Sequence, residues 1–206
     1  MAKLDKIDLF KQHREEYITP KTPVLITART AAYLAIEGKG APGEEAFQSS
    51  IGAIYGAAYT IKMTKKAKGH DYKVPALEAQ WWVEGERCFT EVPRTEWHWK
   101  LLIRVPSFVT ETDLQKAVVG LEKKKKDGPI WSVKLERLVE GPCVQMLHTG
   151  PYNNEQVTID QMLSFVKTKG LSFTGLHHEI YLSDPRRVAH DKQKTILRHP
   201  VTTLAA

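Results

Sequence analysis

Apolar positions along the chain follow two spacings, and the places where one gives way to the other mark its elements. Residues 1–22 are polar and charged, with Pro20 and Pro23 closing the lead-in. Runs at 24–27 and 32–36 read as extended, and Gly38-Lys39-Gly40-Ala41-Pro42-Gly43 ends the second. From about 44 to 66, Phe47, Ile51, Ile54, Ala58 and Ile61 recur every three or four residues, which predicts a long helix. Gly52, Ala53, Gly56 and Ala57 give it a small-residue face that can lie close to a sheet or a ligand. Stretches 72–83 and 97–105 read as strands, with a loop at 84–96 between them. In the later strand Trp97, Trp99, Leu101 and Ile103 share one face, and His98, Lys100, Leu102 and Arg104 the other. A second helix starts at Thr110, with Asp113 completing a capping box and Leu114, Ala117, Val118 and Leu121 as its inner stripe. Lys123 to Lys126 finish it, and Asp127-Gly128-Pro129 turns the chain.

The second half restates the first. Residues 130–139 and 143–148 are extended, Gly150-Pro151 breaks the run, and a helix at about 154–169 turns Ile159, Met162, Leu163 and Val166 inward. Strands at 171–182 and 195–201 complete the pattern. Each half is thus strand, Gly/Pro turn, helix, strand, strand. The expected fold is α+β, one domain over 1–206 built from duplicated β-α-β-β units with pseudo-two-fold symmetry. Unit one covers about 23–105, the linker helix 110–126 and unit two about 130–202. An antiparallel sheet with helices on one side and a ligand cleft between the halves follows from that plan.

Composition narrows the class. A hydrophobic content of 42% suffices for a sizeable core. The formal charge of +6 is not gathered into one basic arm, which argues against direct nucleic-acid binding. Cys88 and Cys143 lack metal-ligand spacing and suit a reducing compartment. With no membrane-length apolar run and no leader-like start, the chain reads as a cytoplasmic monomer that takes a small-molecule ligand or substrate. No phosphate loop, nucleophile elbow or paired-cysteine motif points to a cofactor, and none is expected.

One residue disturbs the pattern. Glu179 sits inside the apolar, strand-like run Leu-His-His-Glu-Ile-Tyr-Leu at 176–182. A carboxylate on a half-buried strand needs a cation, a hydrogen-bond network or a catalytic duty. It either lines a pocket, pairs with an internal Arg or Lys, or lies on an exposed face. His177, Tyr181 and Ser183 share its face, so Tyr181 can hold the carboxylate or simply pack. His177 and Glu179 could serve a metal, but His178 points away and no third ligand is evident, so no metal is expected. Lys123 to Lys126 reads as a solvated helix end, and Arg186 and Arg187 as a surface turn stapled by ion pairs.

The stretches AAYLAIEGKGAPGEEAFQ, YGAAYTIKM, DYKVPALEAQWW, EWHWKLLIRVPSFVTETDL, HTGPY and HEIYLSDPRR…KTILRHPV cover most of the chain. In this order they resemble the GyrI-like small-molecule-binding family, and the last segment is the most specific. The likeness is to stand-alone bacterial members, because residues 1–22 are too short for a helix-turn-helix. The resemblance implies an aromatic pocket whose floor carries the acid at Glu179. Some stand-alone members are cyclopropanoid cyclopropyl hydrolases, which open the strained ring of DNA alkylators of the yatakemycin and duocarmycin type.

On that footing Glu179 is the expected general base and Tyr55 its catalytic partner, orienting water or donating to the developing oxyanion. Tyr59 lies one turn from Tyr55, and both can equally be helix–sheet packing. Trp82 and Trp99 are expected ligand walls, although large aromatics of this kind are as readily core. Tyr152, Tyr181 and His148 complete the expected ligand set. The alternative is a non-catalytic multidrug-binding or sequestering protein, or a gyrase-inhibitor-like protein, for which no residue marks an interface.

Overall fold

The alternation of strand and helix is realised as a mixed α+β architecture with antiparallel strands. The computed structural model describes residues 6–85, 92–124 and 128–204. In chain order the elements are α1 (Leu9–Gln12), β1 (Val24–Ala28), β2 (Ala31–Lys39), α2 (Glu45–Ala67), β3 (Glu78–Trp82), β4 (His98–Val105) and α3 (Glu111–Lys123). They continue with β5 (Lys134–Leu138), β6 (Gly141–Thr149), α4 (Gln156–Thr168), β7 (Leu171–Phe173), β8 (His177–Tyr181) and β9 (Lys194–Thr203). The chain divides into two units, Met1–Gln12 with Ala31–Leu138, and His13–Thr30 with Val139–Ala206.

In the first unit the strands run in the order β3-β4-β2-β5. In the second they run β8-β9-β6-β1, with β7 also paired to β9. The plan is the same in each. The strand before the long helix pairs with the last strand, which also carries the middle one. The outer strands have changed places. β1 precedes β2 but pairs with β6, and β5 precedes β6 but pairs with β2.

Local chemistry explains most boundaries. Thr110 and Asp113 form the capping box: the Asp113 amide donates to the Thr110 hydroxyl and the Thr110 amide to the Asp113 carboxylate. Leu114, Ala117, Val118 and Leu121 are the buried stripe of α3. In α2, Phe47, Ile54, Ala58 and Ile61 are buried, whereas Ile51 is half-buried. Ala53 and Ala57 supply the close approach expected of the small-residue face, while Gly52 is exposed with open space where a Cβ would stand.

Two expected strands are shorter than read. Of 72–83, only Glu78–Trp82 joins a ladder, because Pro75 interrupts the run and offers no amide. Tyr72 is buried and makes an isolated bridge with Ile7 instead. The stretch 171–182 is two strands, divided at Gly175, whose φ of 64° lies in the left-handed region. A short 3-10 turn at Ile130–Ser132, where a strand was expected, precedes β5, and another at Tyr152–Asn154 leads from the expected turn into α4.

The second unit's core joins Val144 and Met146 of β6 and Leu197 and Val201 of β9 to Met162 and Val166 of α4. In the first unit Leu34, Ile36, Leu101 and Ile103 are fully buried beside the inner face of α2. Cys143 is buried and free, whereas Cys88 and the end of the lysine run, Lys125 and Lys126, lie outside the described residues. Among the described residues no helix is long and apolar enough to cross a membrane.

Candidate functional site

Strand β8 alternates cleanly. His178 and Ile180 are fully buried on one face, and His177, Glu179 and Tyr181 are half-buried on the other. Register decides what each face meets. His178 lies opposite Arg198 of β9, and Glu179 opposite Leu197. Opposed residues share a face. Leu197 packs with Met162 and Val166, so Glu179 emerges on the side that α4 covers.

The other face holds a buried polar network. His178 Nδ1 lies 2.8 Å from Glu140 Oε1, and Arg198 Nη1 donates to Glu140 Oε2 at 3.1 Å. Arg198 Nε donates to Gln145 Oε1 at 2.9 Å, and Nη2 donates to the Glu16 carbonyl. Burial alone would push the Glu140 carboxyl up. The charge and hydrogen bond of His178, then Arg198, overcome it and hold Glu140 down at about 2. The internal arginine that could have neutralised Glu179 therefore serves another acid.

On its own face Glu179 has three neighbours that matter. His177 Nε2 stands 3.4 Å from Glu179 Oε1, and the Glu179 side chain is 12% exposed. Tyr181, two residues on, meets Tyr152 edge to face at 5.7 Å. Burial, then Glu179, Glu155 and Asp184, push the Tyr152 phenol up to about 12. The third neighbour is Glu155, which the sequence reading passed over. Glu155 is 6% exposed and stands at the start of α4, yet its side chain makes no capping bond. It lies beside Glu179 instead, and burial, then the interaction with Glu179, push its carboxyl well above the usual range. Among the described residues its Oε1 has no hydrogen-bond partner, and neither has His177 Nε2.

His148 braces the turn that delivers Glu155. Its Nε2 donates to the Pro151 carbonyl at 3.2 Å, and its Nδ1 lies 2.9 Å from the Thr158 hydroxyl. Both ring nitrogens are thus engaged with the turn. The second unit brings Glu179, His177, Tyr181, Tyr152 and Glu155 together.

Tyr55, Tyr59, Trp82 and Trp99 belong to the first unit. Tyr55 and Tyr59 stack at 6.1 Å on α2, with Tyr59 54% exposed. Trp82 is half-buried and stacks on His98 at 5.4 Å. Trp81 is buried and stacks on Phe47 at 5.6 Å. Trp99 is 1% exposed, set edge-on to Phe47 and over Gly38, where a Cβ would come within 2.3 Å of its ring. Of the four aromatics named on this unit, Trp99 is the one with no face left for a ligand.

Glu155, His177 and Glu179 each offer a donor atom, all within 4.8 Å of one another. Glu155 is the third donor that β8 alone could not supply. An apolar groove elsewhere on this unit, lined by Leu25, Ile26, Pro142, Leu171 and Val201, does not include these groups.

Residues 99–201 match the model of the GyrI-like small molecule binding domain. The chain belongs to this GyrI-like family. Among solved structures, an uncharacterized conserved protein from Listeria innocua is similar to the GyrI-like chain at 42% identity and a TM-score of 0.89. The match covers 96% of this chain and 100% of that one. A hydrolase from the same organism is similar at 40% identity and a TM-score of 0.88, with the same coverage. The C-terminal domain of EcmrR shares the GyrI-like fold at 13% identity and a TM-score of 0.56, covering 89% of this chain and 98% of that one. No curated protein sequence matches.

The signal that could have found Glu155 is the run Gly150-Pro151-Tyr152-Asn153-Asn154-Glu155. It places an acid directly before the first apolar turn of a helix, where a capping serine, threonine or aspartate is the usual choice.

Proposed function

We propose that this protein binds flat, hydrophobic or cationic small molecules beside Glu179 and hydrolyses cyclopropane-bearing DNA alkylators, a detoxifying activity. One observation carries the reading. The Glu179 carboxylate is withdrawn from solvent on the α4 side of its sheet, while Arg198 lies on the opposite face with Glu140. An acid so placed is not neutralised by that arginine and stands where a ligand or a water could meet it. The similar hydrolase from Listeria innocua supports hydrolytic chemistry.

A cyclopropane conjugated to a dienone is already strained and electrophilic. Opening it requires a water aimed at the unhindered ring carbon and relief for the oxygen that gathers charge. Glu179 takes the proton from that water. Tyr152 and Tyr181 offer ring edges and phenols beside it. Tyr55, on the first unit, is proposed as a ligand contact of that unit, which a Tyr55→Phe variant tests on its own. The first unit's Trp82 and Tyr59 are assigned to ligand contact.

The test is mass spectrometry of a duocarmycin-type alkylator incubated with the protein. Conversion to a product heavier by one water is expected, and Glu179→Gln should remove most turnover without unfolding the protein. Recovery of unchanged alkylator after long incubation, with cationic dyes bound more weakly by Glu179→Gln than neutral dyes of equal shape, would favour sequestration without chemistry.

A further inference from the structure

We propose that Glu155 is a second catalytic residue: Glu155 and Glu179 hold one proton between them and, with His177 Nε2, seat the water that attacks the substrate. The inference rests on the hydrolytic reading of Glu179 and extends it to a group on another element. Its basis is geometric. Donor atoms of the two carboxyls and of His177 lie within 4.8 Å of one another, and two acids this close in a site withdrawn from solvent oppose double ionisation. Glu155 Oε1 and His177 Nε2 are both shut away from solvent and make no hydrogen bond among the described residues, and with Glu179 they converge within 4.8 Å. Orphaned polar atoms at such spacing suit a water, which needs two to four polar partners.

Other titratable groups face this pair from each neighbouring element. His177 and Tyr181 come from β8, and Asp184 follows it. Tyr152 comes from the turn before α4. His199 of β9 stands 6.0 Å from the His177 ring, and burial, then His177, pull it down to about 4. His148 is spent on Thr158 and Pro151. Glu140 and His178 belong to the opposite face.

The step balances as follows. The water oxygen bonds to the unsubstituted ring carbon, and the ring carbon–carbon bond breaks. Its electron pair runs through the dienone to the oxygen, giving a phenolate that solvent protonates. The water proton passes to the unprotonated carboxyl, so the pair then holds two protons and returns one to solvent. With both carboxyls protonated no base remains. With both ionised, a doubly negative site opposes the negative charge forming on the substrate. Turnover should therefore rise and then fall with pH.

Glu155→Gln separates this role from a structural one. Its amide can still donate to Glu179 and its carbonyl still faces the water, but it cannot ionise. Turnover within about tenfold of wild type, with the alkaline fall abolished, is expected, whereas Glu155→Ala should lose about 10²–10⁴-fold in kcat. A Glu155→Gln profile that keeps the alkaline fall overturns the proposal. A second measurement needs no substrate. The folded pair keeps a proton that the unfolded chain releases, so wild type loses stability as pH rises above the ordinary carboxyl range. Its urea midpoint should drop relative to Glu155→Gln between pH 5 and pH 9, and parallel curves overturn the shared proton. A wild type that turns over no alkylator sinks the hydrolytic reading and this catalytic role, while the urea curves still decide the proton. Should Zn²⁺ or Mn²⁺ raise the Tm of chelator-treated wild type but not of Glu155→Gln, the three groups hold a cation and the proposal falls.

Discussion

Arg198 and Glu140 meet at 3.1 Å inside the second unit, on the face of β9 turned away from Glu179. Their side chains are 1% and 4% exposed. A buried ion pair is a modest source of stability beside well-packed apolar residues, but losing one partner strands the other. The pair's value to the site is one of allocation, since it occupies the guanidinium nearest in register to Glu179.

Removing one partner should be costly. Glu140→Gln or Arg198→Met is expected to destabilise the protein by about 3–5 kcal/mol, read from urea unfolding. A change under about 1 kcal/mol would mean that water or a shifted side chain already satisfies the survivor.

The same pair sets an acid limit. Glu140 is held at about 2 in the folded state, below the ordinary carboxyl value of 4.5. Its contribution is therefore complete above 4.5 and is lost as pH falls towards 2. Acid titration of the circular dichroism signal should show wild type losing stability over that interval, and Glu140→Gln should lose less of what it has.

Gly38 is fixed by its neighbour. A Cβ there would enter the Trp99 ring at 2.3 Å, and Trp99 sits directly opposite it in the β2–β4 ladder. Gly38→Ala should cost at least the 1–3 kcal/mol typical of overpacking, about that much by thermal or urea unfolding. A neutral result would show that the indole has room to swing.

The two tryptophans should separate binding from stability. Trp99→Ala is expected to lose about 3–5 kcal/mol of stability, because the ring is fully buried. Trp82→Ala should cost far less stability and weaken binding of planar dyes, measured by fluorescence titration. If both variants bind dyes as wild type does, the wall assigned to Trp82 is elsewhere.

Much of this was legible before any coordinates. The capping box at Thr110, the stripe of α3 and the alternation that isolates Glu179 all depend on neighbours close in sequence, and periodicity encodes those directly. The break at Gly175 was hidden because a single glycine inside an apolar run has no period. Trp99 looked like a ligand wall because composition cannot distinguish an indole lying over a glycine from one lying beside a cavity. Glu155 escaped notice because its importance comes from Glu179, 24 positions away in the numbering and brought close only when α4 folds onto the sheet. Nor does any local pattern tell β1 to pair with β6 rather than with its neighbour β2.

That trade of outer strands has a genetic consequence. A gene fragment encoding one repeat with its own leading strand would yield a chain whose edge partner resides in the missing copy. Such a fragment could complete its sheet by docking with a twin and donating the strand reciprocally.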